Sequence, residues 1–287
     1  MQADIGQRAF RRALAIAAAS AGLVAAAGIL LVPLGAIDHL RGMATELCVT
    51  FTHIASDIAS VSLVVFAVSA LIAGLIALVA SVALQRRALA SWKPVTGPAR
   101  RRVARVARAR GIRTTTVVFG HRDPVACSRG AFSPQIWISD AAVDTLSDNE
   151  LAAVLAHEHQ HCISRDPAKR QLLEVLARAL FAFPVVAHAA GAFRRAAEYA
   201  ADDAAARTTS GRDTARALLR FAIAPAVPAV VQFGASVTVG ERVQRLLGET
   251  ATATEPRTDR GAWTISLAVA FAALLCIAMV AILPTDM

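Results

Sequence analysis

Three long stretches without a charged residue constrain this 287-residue chain more than any other feature of its sequence. They lie at 13–37, 59–84 and 262–284 and contain 25, 26 and 23 residues. A helix that crosses a bilayer needs about 20 mostly apolar residues. The sequence therefore predicts a mainly α-helical, multi-pass protein of the cell membrane with three transmembrane helices.

The charged residues predict how such a protein would be oriented. Lys and Arg number 30 against 21 Asp and Glu, and residues 86–113 contain ten basic residues and no acidic one. Basic residues favour the cytoplasmic side of a membrane. We therefore expect 1–12 to be a cytoplasmic tail, 38–58 a short external loop and 85–261 a cytoplasmic domain.

The basic run at 86–113 also indicates a partner. Beside a membrane, such a run favours binding to anionic lipid headgroups. It contains no interleaved aromatic residues and no recognisable DNA-binding motif, so we expect no direct binding of nucleic acid. Within it, 98–110 predicts a short helix, since Pro98 lies at its start and Gly111 just past its end.

Residues 85–261 predict an α+β domain with a small sheet. Strands are expected at 114–119 and 135–139, where β-branched and aromatic residues dominate, with a third strand or bulged edge at 126–132. Ser147 and Glu150 have the spacing of a capping box, which predicts a helix that ends near residue 162 or 164.

That helix contains the sequence His157-Glu158-His159-Gln160-His161, an H-E-x-x-H pattern. Residues four apart share one helix face, so His157 and His161 can direct two imidazole nitrogens at one Zn²⁺. Glu158 is placed to act as general base on a water rather than as a ligand. The pattern predicts one zinc ion per chain and a metalloendopeptidase.

A catalytic zinc ion needs a third protein ligand. His159 should point away from the site, and Asp166 is too near in sequence to fold back easily as a ligand. Glu198 is the best candidate, and Asp202, one helical turn later, would hydrogen-bond a ligand imidazole. The alternative is that Glu198 and Asp202 lie on a solvated helix face.

These motifs resemble those of the integral-membrane zinc metallopeptidases, above all the BlaR/MecR-type antirepressor peptidases. The related group is the heat-shock membrane protease and CAAX prenyl protease family. The stretch 132–139, the Arg165-Asp166 step, the 198–203 stretch and the 241–247 element favour the first family. Because only residues 284–287 follow Leu283, we expect no extracellular penicillin-binding sensor domain.

The resemblance implies that His157, His161 and Glu198 are metal ligands, that Glu158 is the general base and that Asp202 supports a ligand. It also implies an endopeptidase acting on a cytoplasmic protein such as a transcriptional repressor. The alternatives are a quality-control protease of the heat-shock type and a non-catalytic membrane receptor or scaffold with a structural zinc site.

Two finer features of the site are predicted less directly. The residues that could help stabilise the oxyanion are Tyr199, Arg194, Arg195 and His121. A substrate chain should add to an exposed edge strand near 135–139. A shared zinc site also requires that 172–193 does not cross the membrane once, which favours either a shallow hairpin broken at Pro184 or two buried helices against the membrane face.

Overall fold

The computed structural model describes residues 3–37, 65, 68–84, 86–87, 90, 92–223, 238–248 and 260–282. The predicted external loop at 38–58 lies outside the described residues. The elements in chain order are α1 (Ala3–Ile37), α2 (68–84), α3 (Pro98–Ala109), β1 (Thr116–Phe119), β2 (Ala126–Arg129), β3 (Gln135–Ser139), α4 (Asp140–Thr145), α5 (Asp148–Ile163), α6 (Asp166–Ala179), α7 (Pro184–Thr208), α8 (Gly211–Ile223), α9 (Val239–Leu247) and α10 (Arg260–Ile282).

The protein is mainly helical with one small sheet, but its helices differ from prediction in one respect. Within the described ranges, no helix combines the length and the low polarity that crossing a membrane requires. The prediction of three transmembrane helices is therefore wrong.

The three strands form one sheet in the order β1-β3-β2. Strand β3 pairs in parallel with β1 and antiparallel with β2, and it has the predicted boundaries. Because β3 is paired on both sides, the expectation that 135–139 offers an open edge is wrong. The outer edge of β1 is covered by residues 93–95, since Val95 N donates to Val118 O at 2.8 Å. Strand β2 forms the opposite edge.

Helix α5 packs against the sheet through one continuous apolar core. Ile136 and Ile138 of β3 are fully buried with Leu151 and Leu155 of α5. The predicted capping box is present: Ser147 Oγ accepts from the backbone N–H of Glu150, and a Glu150 carboxylate oxygen accepts from the backbone N–H of Ser147. Both ends of this exchange satisfy N–H groups that a helix start leaves unpaired.

The basic helix α3 is present as predicted, and part of its charge is used inside the fold. Arg102 donates to the backbone oxygens of Val143 and Leu146, and its Nε donates to Asp148 at 2.8 Å. Arg105 Nη1 lies 2.9 Å from the same carboxylate. These contacts join α3 to the start of the helix that carries H-E-x-x-H.

A tight reversal joins α5 to α6. Ser164 caps the end of α5, Arg165 has a φ of +53°, and α6 begins at Asp166. Further on, α6 ends at Ala179 and α7 begins at Pro184. The segment 172–193 therefore belongs to two helices, with the break at the predicted proline.

The chain divides into two compact units. The first comprises residues 1–11, 78–172 and 190–257, and the second comprises 12–77, 173–189 and 258–287. The first unit contains the sheet, α5 and every residue predicted at the metal site. The second has a core of its own, whose buried members are Ala17, Leu180, Phe183, Val185 and Val186.

Candidate metal centre

Three side chains from two helices converge at one point. His157 and His161 lie one turn apart on α5, and Glu198 lies in the middle of α7. The Nε2 atoms of the two imidazoles are 3.2 Å apart, and each lies 3.6 Å from a carboxylate oxygen of Glu198. The three residues can each offer one ligand atom within 4.8 Å of the others. They are therefore close enough to bind one metal ion together.

A carboxylate holds the far nitrogen of each imidazole. Asp202 Oδ1 lies 3.1 Å from His157 Nδ1, and Asp166 Oδ2 lies 2.7 Å from His161 Nδ1. A carboxylate at this position accepts the Nδ1 proton and leaves the Nε2 lone pair directed at the site. Both imidazoles are thus held in the tautomer that a metal ligand requires.

Two arginines hold the Glu198 carboxylate. Arg170 Nη2 donates to Oε1 at 2.6 Å, and Arg242 Nη1 lies 3.1 Å from Oε2. Arg242 also binds both oxygens of Asp202, with its Nε and Nη2 at 2.8 and 2.6 Å. Arg242 of α9 therefore links the third candidate ligand, Glu198, to Asp202, the carboxylate that holds His157.

The pKa values reflect this concentration of charge. Burial alone would raise the pKa of Glu198, but Arg170, His157 and further cationic neighbours hold it well below the ordinary value. Burial lowers the pKa of His157, yet hydrogen bonds to Asp202 and Glu198 raise it to about 9. These neighbours therefore keep Glu198 ionised and stabilise a positive charge at His157.

Glu158 is nine-tenths buried beside these ligands. Burial, followed by the charge of Glu158, raises the pKa of the Cys127 thiol on β2 and raises that of Cys162 to about 12. The charge of Glu158 thus acts on Cys127 of the edge strand β2, against which α5 packs.

The model of the BlaR1 peptidase M56 family matches residues 43–246, which is more than two thirds of the chain and includes all of these residues. The chain belongs to this family. No curated protein matches it. The predicted resemblance to BlaR/MecR-type peptidases is confirmed, and the further relation to the heat-shock proteases stays a prediction. M56 peptidases are metal-dependent and membrane-associated, so the chain is a metallopeptidase of the BlaR1 type.

The charges at the site of this M56 peptidase fit a divalent cation. A histidine that binds a metal ion is neutral. With both imidazoles in that form, four carboxylates and two guanidinium groups give a formal charge of −2, which one divalent cation would neutralise. Buried charge is costly unless it is compensated in this way. The groups counted are Glu158, Asp166, Glu198, Asp202, Arg170 and Arg242.

Tyr199 lies one residue after Glu198, but its hydroxyl is engaged elsewhere. It donates to Glu241 Oε1 at 2.5 Å, and the Arg245 guanidinium lies 4.8 Å from the ring centroid. Its role as an oxyanion helper stays a prediction.

The other predicted helpers lie as follows. His121 follows β1, and its Nδ1 lies 3.1 Å from the backbone of Asp123. Arg194 and Arg195 are on α7, one turn before Glu198. His159 is turned to Thr114, whose Oγ1 lies 2.6 Å from its Nδ1.

Sequence reasoning missed three residues that hold the ligands. For Asp166, the sequence argument addresses only metal ligation. A carboxylate beside a sharp helix break can instead hydrogen-bond a ligand histidine, as Asp166 does with His161. Arg170 lies four residues after Asp166 and therefore on the same face of α6, which is a signal that periodicity could have given. Arg242 is part of the 241–247 element noted in the sequence, but nothing local pointed to its partners.

Proposed function

We propose that this metallopeptidase is a zinc-dependent endopeptidase that hydrolyses peptide bonds in a cytoplasmic protein. The observation that carries the proposal is the convergence of His157, His161 and Glu198 within 4.8 Å, with Glu158 one residue after the first ligand. Two imidazoles and one carboxylate are a common ligand set of catalytic zinc, which leaves a position for substrate or water.

The residues of the chain supply the proton transfers. A zinc ion bound at this site supplies Lewis acidity that activates water and polarises the peptide carbonyl. Glu158 takes a proton from the attacking water, whose oxygen bonds to the carbonyl carbon. Glu158 then gives that proton to the leaving nitrogen as the C–N bond breaks.

The open edge of the sheet is where we place the substrate. Strand β2 has β3 on one side, and α5, the helix that carries Glu158, packs against β2. An extended peptide that adds to a sheet edge is held by main-chain hydrogen bonds. A substrate strand along β2 would therefore present its backbone carbonyls next to the general base.

We further propose that the substrate is a transcriptional repressor and that the protein acts at a membrane surface. Family membership supports both proposals. The exposed arginines of α3 that face away from the core, among them Arg100, Arg101 and Arg108, are suited to anionic lipid headgroups. Binding to phosphatidylglycerol vesicles that is lost in R100Q/R101Q would support this, and equal binding to phosphatidylcholine would contradict it.

The substitution Glu158→Gln tests the peptidase function. It removes the general base but no ligand, so E158Q should keep its zinc and lose cleavage of fluorescein-labelled casein. The matched control is E174Q, since Glu174 forms an ion pair with Arg178 on the same helix. Unchanged cleavage by E158Q would exclude the proposed mechanism.

A further inference from the structure

Arg170 occupies an unusual position beside the third ligand. It lies on α6 one turn after Asp166, so both side chains face the ligands from the same side of that helix. Asp166 binds His161, and Arg170 Nη2 donates to Glu198 Oε1 at 2.6 Å. One face of α6 therefore contacts two of the three ligands.

One N–H donor of the Arg170 guanidinium has no acceptor among the described residues. Across the described part of the chain, Arg170 Nε is buried and has no hydrogen-bond partner. Buried polar atoms are almost always paired, and one that is not calls for an explanation. A donor in this situation beside a catalytic site is explained if its acceptor arrives with the substrate.

The neighbouring donors are already engaged. Arg242 directs Nε and Nη2 at Asp202 and Nη1 at Glu198. The hydroxyl of Tyr199 donates to Glu241. The Nε of Arg170 is thus a cationic donor close to the ligands with hydrogen-bonding capacity in reserve.

We propose that Arg170 is a catalytic residue whose Nε–H donates to the carbonyl oxygen of the scissile peptide bond. This proposal rests on the proposed peptidase function. Negative charge develops on that oxygen when water adds to the carbonyl carbon, and a charged donor fixed nearby stabilises it. No proton leaves Arg170, because Glu158 carries the proton from the water to the leaving nitrogen.

The variant R170Q tests the proposal with fluorescein-labelled casein as substrate and zinc at saturation. Loss of one oxyanion donor lowers kcat by about 100- to 1000-fold in enzymes of known mechanism. An interaction made only in the transition state leaves KM unchanged. We therefore expect kcat and kcat/KM to fall together, with partial recovery in R170K. The control R178Q, in an exposed ion pair on the same helix, should behave as wild type.

Two further measurements separate catalysis from ligand positioning. Because Arg170 also holds Glu198, R170Q should lose about 10- to 100-fold in zinc affinity, but saturating zinc should not restore its kcat. The zinc-loaded variant should bind a phosphonamidate peptide, built on the cleaved casein sequence, more weakly by the factor lost in kcat/KM. If Arg170 only holds Glu198, saturating zinc should restore kcat and the affinity for the phosphonamidate. That result, or an unchanged kcat, would overturn the proposal.

The proposed function and the role of Arg170 fail in different ways. If the zinc-loaded wild type does not cleave casein, both are overturned. If the wild type is active, E158Q is inactive and R170Q is fully active, the role of Arg170 alone is overturned. The melting temperature of R170Q without zinc shows whether it folds, and R170K supplies the same comparison if it does not.

Discussion

The Oδ2 atom of Asp166 lies 2.7 Å from Nδ1 of His161, although only five residues separate them. The positive φ of Arg165 reverses the chain between the two, so that α6 starts by pointing its first carboxylate back at the ligand. The helix break and the support of the ligand are therefore one feature of the fold.

Replacing Asp166 should weaken metal binding. Asp166→Asn keeps the size of the side chain but removes the charge that holds His161, and loss of such a partner typically costs about 10- to 100-fold in metal affinity. Competition with a zinc chelator measures the change. The control is D203N, which breaks the ion pair between Asp203 of α7 and Arg245 of α9 and should leave the zinc affinity nearly unchanged. Equal loss in both variants would contradict a specific role for Asp166.

Zinc should stabilise the folded protein. A ligand at 100 times its dissociation constant adds about 2.7 kcal/mol to the free energy of unfolding. That amount corresponds to a rise of about 5–10 °C in Tm for a domain of this size. Differential scanning fluorimetry with and without zinc should show the rise in E158Q, whose ligands are intact, and not in H161Q. A similar rise in H161Q would place the metal elsewhere.

The stabilising effect of Asp148 should depend on pH. Hydrogen bonds from Arg102 and Arg105 lower the pKa of Asp148 from its ordinary value of 3.8. A carboxyl group whose pKa is lower in the folded state stabilises it above the ordinary value and loses this effect as pH falls through the folded pKa. D148N should therefore lower Tm at pH 7 by an amount that shrinks below pH 3.8. Because the ion pairs of Asp148 with Arg102 and Arg105 are exposed to solvent, we expect D148N to lower the free energy of unfolding by at most about 1 kcal/mol. A difference that persists undiminished into acid would contradict this account.

Gly130 should be needed for the turn that follows the edge strand β2. Its φ is +96°, and a Cβ there would lie 2.5 Å from the backbone oxygen of Ser133, which closes the turn between β2 and β3. Gly97 has a φ of +121°, but a Cβ at that position would meet no described atom within 4 Å, so G97A tests backbone strain alone, about 1–3 kcal/mol. G130A should cost more in urea unfolding and should reduce casein cleavage while sparing zinc affinity. If G130A and G97A lower the free energy of unfolding equally, the backbone near Ser133 has moved to relieve the clash, and this account of Gly130 is wrong.

Features that depend on residues close in sequence could be predicted. The capping box at Ser147 and Glu150 marks the start of α5, and β3 has the expected boundaries. Helix α3 ends just before Gly111, which has a φ of +67°, within a residue of its predicted end. Each rests on side-chain spacing or backbone freedom within a few residues. The H-E-x-x-H pattern belongs to the same class, since one helical turn brings its histidines together.

Features that depend on tertiary pairing could not be predicted. Arg170 meets Glu198 across 28 residues, and Arg242 meets Asp202 across 40. With 30 basic residues in the chain, local pattern does not reveal which arginine is buried in an ion pair. The order of the strands is of the same kind, because β3 is recognisable as a strand but its central place depends on its partners.

The position of Arg242 has a consequence for how the protein is made. The ribosome delivers His157 and Glu198 well before α9, whose Arg242 follows Asp202 by 40 residues. Until α9 is present, the fully buried Asp202 lacks both of its guanidinium hydrogen bonds and Glu198 lacks one of its two arginines. The contacts of the metal centre are therefore completed only after α9 has been synthesised. A nascent chain that already contains His157, His161 and Glu198 still lacks the arginine that joins Glu198 to Asp202.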